Sequence, residues 1–177
     1  MRTVAEWVTA VQASGMAMYF VAATVCGVAW WRARRDRRIA RLAVILGILH
    51  AAFFFDVAFH WRGTLYDLLR AEAIANQWYD LRRGPQDGML VLLAALLLTA
   101  IGFARRRYRS TPGAVLAIAG ALLSIGCWSV EVISLHATDT VLYHHIGPLP
   151  IADFVWALAC LMTVIGIWKA SGQSGSH

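Results

Sequence analysis

Five long apolar stretches separated by polar links dominate the hydrophobic pattern of this 177-residue chain. Each stretch is close to the roughly 20 residues that a helix needs to cross a hydrocarbon core. A helix is required there because lipid offers no partner to an unpaired backbone group. We therefore predict an all-α integral membrane protein built as a bundle of five transmembrane helices. The predicted spans are residues 14–31, 42–60, 89–104, 114–133 and 151–168.

The basic residues lie mainly in the links at one end of the predicted bundle. The link WRARRDRRIAR after the first span carries six arginines, and RRRYR after the third span carries four. With Lys169 they make eleven of the sixteen basic residues, and the positive-inside rule assigns this end to the cytoplasm. The sequence thus predicts an extracytoplasmic N-terminus and a cytoplasmic C-terminus in a plasma or bacterial inner membrane. The five exceptions are Arg2, Arg62, Arg70, Arg82 and Arg83.

The formal net charge of +6 does not indicate a nucleic-acid partner. The arginines form short clusters beside apolar spans, where anionic lipid headgroups supply the opposite charge. Membrane lipids are therefore the expected surroundings. No linker or repeat divides the chain, so residues 1–170 are predicted to form a single domain. Residues 171–177 are small and polar and are predicted to be a disordered tail.

Two segments outside the spans are predicted to form helices on the extracytoplasmic surface. Residues 1–15 have the pattern of a short amphipathic helix. Residues 63–82 are predicted to form a second interfacial helix, which either covers the outer mouth of the bundle or lies on lipid without a partner. The sequence RRGPQDG is predicted to end this helix, and Asp87 to cap the third span. The apolar face of the second helix consists of Leu65, Leu68, Leu69 and Ala73.

Histidines and acidic residues are concentrated at the end of the bundle opposite the arginine links. Nine of the ten Asp and Glu residues, and every histidine except His177, lie in the predicted outer half. Asp56 and His60 are four residues apart on the second span, so they are predicted to share one face of that helix. The fourth span brings an acid and an imidazole to the same depth, and the loop after it adds two imidazoles. The candidate metal ligands are Asp56, His60, Glu131, His136, His144 and His145.

Imidazole and carboxylate side chains are common ligands of transition metal ions such as Zn, Fe, Mn and Cu. Haem is the alternative cofactor, because its iron accepts axial histidines from two helices of a bundle. Covalent c-type attachment is excluded, since the chain has no Cys-x-x-Cys-His sequence. The spacing matches no strict metal-binding signature. The first ligands would be Asp56, His60, Glu131 and His136, with His144 and His145 as further ligands or proton shuttles.

Each candidate residue also has a simpler interpretation. Asp56 and His60 could form an ion pair that holds two helices together. His144 and His145 could be ordinary loop histidines at the water boundary. His50, which lies deeper in the second span, could do no more than bond a neighbouring helix.

Three functions fit this sequence, and it stays open whether the chain is an enzyme. The first is a metal- or haem-dependent redox step, or metal-assisted chemistry, on a lipid-soluble substrate. The second is a non-catalytic accessory subunit of a larger membrane complex, with the polar outer cluster as its docking surface. The third is a carrier for a metal ion or proton, because intramembrane acids and histidines mark such paths.

Overall fold

The computed structural model describes residues 4–77, 83–133, 142, 144–146 and 149–173, with the backbone alone at 4–11, 83, 145 and 146. These residues form long helices and one hairpin of two short antiparallel strands. The helices are α1 (Val4–Arg32), α2 (Arg37–Phe59), α3 (Trp61–Ala75), α4 (Arg83–Arg107), α5 (Pro112–Ile133) and α6 (Ile151–Gln173). The strands are β1 (His145–Ile146) and β2 (Leu149–Pro150), which lead into α6.

Five helices in the described part of the chain are long and apolar enough to cross a membrane, which confirms the predicted number. The 15-residue α3 is not one of them. The last helix continues through Gln173, and residues 174–177 lie outside the described residues. The five apolar segments are Gln12–Arg32, Arg37–Phe59, Gly84–Arg107, Pro112–Ile133 and Ile151–Gln173.

The bundle has two chemically different ends. We call the end where α2 and α5 finish and α4 and α6 begin the acidic end, and the opposite one the arginine end. At the arginine end, basic side chains cover aromatic rings, an arrangement that is favourable through cation–π attraction. The Arg32 guanidinium carbon lies 4.0 Å from the centroid of the Trp168 ring, and that of Arg38 lies 4.4 Å from the Tyr108 ring.

Two predicted helix boundaries were wrong. The N-terminal segment is not a separate surface helix, because α1 runs without interruption from Val4 to Arg32. The junction between the two predicted pieces has no proline, and an isolated glycine such as Gly15 is tolerated within a helix. Likewise, α4 begins at Arg83, inside the predicted break, so Asp87 lies within the helix and does not cap its start as predicted. Pro85 then falls in the first turn, where a proline is tolerated because the backbone N–H groups of that turn have no partner within the helix.

The closest helix packing joins α5 and α6 through small residues. A Cβ atom added at Gly120 would lie 2.5 Å from the Ala159 carbonyl oxygen and 2.7 Å from the Thr163 backbone nitrogen. The missing side chain therefore lets two backbones touch, as small residues do in many membrane helix pairs. The Thr163 hydroxyl lies 3.0 Å from the Ala159 carbonyl oxygen of its own helix and 3.4 Å from the Ala117 carbonyl oxygen of α5, so its one proton is shared between the two acceptors.

By contrast, α4 lies at the edge of the bundle. Only 6% of its apolar segment is buried, against 28–44% in the other four. Beside it, α3 ends at Ala75, and residues 78–82 of the predicted interfacial helix lie outside the described residues. The predicted apolar face of α3 is only partly used, since Ala73 is 3% exposed but Leu68 is 64% exposed.

Candidate functional site

The acidic end is built around a sharp corner between α2 and α3. The first helix ends at Phe59 and the next begins at Trp61, with His60 alone between them. His60 has φ 55° and ψ 33°, a left-handed conformation that histidine adopts more readily than most residues other than glycine. The corner directs the second residue of α3, Arg62, towards the last turn of α2.

Asp56 lies on that last turn and holds the beginning of α3. Its Oδ1 accepts the backbone N–H of Arg62 at 3.0 Å, one of the N–H groups that the first turn of a helix leaves unpaired. Its Oδ2 lies 3.2 Å from Nε of the same arginine. The helix dipole also favours a carboxylate at this position. Asp56 is therefore both the cap of α3 and the ion-pair partner of its arginine.

The guanidinium group of Arg62 also contacts α5 and α6. Its Nη1 donates to Oε2 of Glu131, and its Cζ lies 4.5 Å from the centroid of the Trp156 ring. The exposed fractions of the side chains are 16% for Arg62, 7% for Asp56 and 5% for Glu131, so solvent is largely excluded. We call Asp56, Arg62, Glu131 and Trp156 the Arg62 network.

Within the Arg62 network, the arginine supplies the positive charge that the two buried carboxylates require. Leaving Asp56 and Glu131 buried without a counter-charge would be costly in a medium of low dielectric constant. Arg62 binds both, and the Cys127 thiol adds a weak hydrogen bond to Oε1 of Glu131 at 3.5 Å. Nearby in sequence to Trp156, Asp153 lies buried in the first turn of α6, where the helix dipole favours an acid, as predicted.

His60 and Asp56 have different partners, although their spacing predicted a shared face. Nδ1 of His60 lies 3.3 Å from Nε2 of Gln12, and this amide also donates to the Val57 carbonyl oxygen at 3.1 Å. Because the amide is the donor, the proton of a neutral His60 is assigned to Nε2. The left-handed corner ends the regular geometry of α2 before His60, so the four-residue spacing no longer determines where its ring points.

The other candidate ligands are not brought together by the described residues. His136 lies outside those residues. His144 is exposed and accepts the backbone N–H of Ile151 at 3.0 Å through its carbonyl oxygen, while only the backbone of His145 is described. Within the described ranges no three His, Cys, Asp or Glu side chains are grouped as a metal site requires. The metal or haem centre therefore stays a prediction.

His50 occupies a separate position in the middle of the bundle. It is completely buried, and its Nδ1 lies 2.8 Å from the Leu46 carbonyl oxygen, to which it donates. Its ring packs against Tyr19 and Phe53, at centroid distances of 6.1 and 6.4 Å. This hydrogen bond lies within α2. The interpretation that His50 bonds a neighbouring helix is therefore wrong for its Nδ1 atom.

The sequence analysis missed Arg62 as a site residue. It appeared only as one of five basic residues that depart from the positive-inside pattern. That departure was a usable signal, because an arginine beside a predicted span needs a counter-charge or water. A carboxylate six residues earlier on the same span, Asp56, was available to provide it.

Comparison with known proteins assigns no family to this arrangement. No protein family, curated protein or solved structure matches the chain. Its function is therefore inferred from its own residues.

Proposed function

We propose that this chain is a small integral membrane protein that serves as a non-catalytic subunit of a larger membrane complex. The observation that carries the proposal is the binding of both Asp56 and Glu131 by Arg62. The charged cluster is then a structural tie between α2, α3, α5 and α6. The alternative is the metal or haem centre, which would draw its ligands from the histidines of the acidic end.

The exposure of α4 supports a lateral partner. A helix that buries so little surface in its own bundle contributes little to holding that bundle together. Its outward face is available to a helix of another subunit. An apolar surface that faces lipid can also pack against an apolar helix, so the composition of α4 suits both. Val91 and Leu98 are each 71% exposed and lie two turns apart on one face.

The larger complex is expected to depend on that face of α4. Native mass spectrometry of material released gently from membranes should show the wild-type chain bound to a second protein. The double variant Val91→Trp, Leu98→Trp should appear without the second protein. The larger side chains prevent close packing against another helix, but lipid around the helix still accommodates them. The matched control is Ile45→Trp, Ile48→Trp on α2, where both positions are 63–66% exposed and the complex should persist.

The same preparations, made without chelators, distinguish the metal or haem alternative. The proposal expects metal far below one equivalent and no Soret band. A Soret band, or one equivalent of metal that is lost in His60→Ala, would replace the proposal with a redox or metal-assisted role. A wild-type chain that is always released alone would also reject it.

We further propose that the acidic end faces the extracytoplasmic side. The support is the concentration of arginines at the opposite end of the bundle. A reporter that works only in the cytoplasm should be active when fused after Lys169. A reporter that works only outside should be active when inserted after Leu142. Reversed activities would place the acidic end in the cytoplasm.

A further inference from the structure

A slot opens between α3, α4 and α5 at the acidic end. Its volume is about 190 Å³, and it is separate from the Arg62 network. Most of its lining is apolar. The lining residues that matter for its chemistry are Tyr66, Leu69 and Arg70 of α3, Met89 of α4 and Ile133 of α5.

The walls of the slot are held in place by contacts between the three helices. Nε2 of Gln86, in the first turn of α4, donates to the carbonyl oxygen of Ile133 at 2.8 Å and so joins α4 to the last residue of α5. On the other side, the corner at His60 and the ion pair of Arg62 with Glu131 attach α3 to the same end of α5. The shape of the slot is therefore determined by contacts between helices and not by the conformation of a few side chains.

The lining combines an apolar interior with a cation at the rim. Arg70 is exposed, and among the described residues it has no carboxylate partner. An apolar cavity of about 150 Å³ is large enough to bind a benzene ring. A slot of about 190 Å³ therefore accommodates a segment of hydrocarbon chain. A guanidinium group beside it is suited to a phosphate oxygen.

We infer that this slot binds an anionic phospholipid, with part of an acyl chain between α3 and α4 and the phosphate at Arg70. The inference rests on the proposed membrane location of the chain. At the ends of membrane-crossing helices, an apolar slot with an arginine rim faces the boundary between hydrocarbon and headgroups. The bound phosphate would also give Arg70 a counter-charge, since no carboxylate among the described residues pairs with it.

The inference is tested with photoactivatable lipids on the full chain in phosphatidylcholine nanodiscs. A phosphatidylglycerol probe with a diazirine in its acyl chain should label the peptides that contain Tyr66 and Met89. Arg70→Gln should weaken phosphatidylglycerol labelling about tenfold, to the level of a phosphatidylcholine probe, since it removes one charge-assisted hydrogen bond. Met89→Trp should lower labelling by both lipids by filling the slot. The control Arg105→Gln, at the arginine end, should change neither.

Two outcomes would overturn the inference. Labelling that is unchanged in both Arg70→Gln and Met89→Trp would show that lipid does not occupy the slot. Equal labelling by the two probes in the wild-type chain, still lowered by Met89→Trp, would show that the slot binds an acyl chain whatever the headgroup charge, which rejects the anionic phospholipid. The variants Val91→Trp and Leu98→Trp test complex formation on another face of α4, so the two proposals can fail independently.

Discussion

Replacing Arg62 with leucine is expected to lower the free energy of unfolding by about 3–5 kcal/mol, because two buried carboxylates lose their cation. Asp56 and Glu131 are both nearly excluded from solvent, so water cannot take the place of the guanidinium group. The backbone N–H of residue 62 remains, so Asp56 can still cap α3. The measurement is equilibrium unfolding in mixed micelles with increasing SDS, followed by far-UV circular dichroism.

Two further variants separate loss of the ion pair from loss of the side chain. Arg105→Leu, at the arginine end, removes an exposed arginine and should leave the unfolding free energy nearly unchanged. The triple variant Arg62→Leu, Asp56→Asn, Glu131→Gln should recover most of the lost stability, because no buried charge is then left without a partner. A single variant as stable as the wild-type protein would show that the Arg62 network does not hold the acidic end together.

Adding one methyl group at Gly166 is expected to destabilise the bundle by about 1–3 kcal/mol, as overpacking of a tight core does. A Cβ atom there would meet the backbone nitrogen of Ala117 and would lie 2.6 Å from the carbonyl oxygen of Gly113. Backbone atoms cannot turn aside as a flexible side chain can, so α5 and α6 must separate. The unfolding experiment above measures the effect of Gly166→Ala, and Gly166→Leu should be more severe.

Gly102→Ala on α4 is the matched control for this prediction. No atom lies within 4 Å of a Cβ added at Gly102, so the substitution costs no packing. It should be neutral or stabilise the protein by up to about 1 kcal/mol, since alanine favours a helix more than glycine does. The two substitutions are chemically identical, so the difference between their effects on the free energy of unfolding measures the contact between the helices. Equal effects would contradict the close approach of α5 and α6.

The number and approximate position of the long helices could be predicted from the sequence because the signal is local. Each apolar segment is long enough by itself, and its helical backbone satisfies its own hydrogen bonds. The ends of the helices were harder to predict, and the reason is again a local feature of the sequence. Pro85 resembles a helix breaker in the sequence, but it is tolerated once it falls in the first turn of α4.

The candidate site shows the limit of such local reasoning. The sequence determined that acids and histidines collect at the ends of the spans opposite the arginine links, since depth follows from position along a helix. It also identified Asp56 and Glu131, but with a metal ion as the expected cation. Only the tertiary structure showed that Arg62 binds both.

The physical reason is the distance along the chain over which this contact forms. Arg62 and Glu131 are separated by 69 residues, so the periodicity of neither helix indicates that they meet. Their contact depends on the left-handed corner at His60, which turns α3 back over the ends of α2 and α5. Spacing along one helix determined which side chains share a depth, whereas the corner and the packing of α5 against α6 decided which of them bind each other.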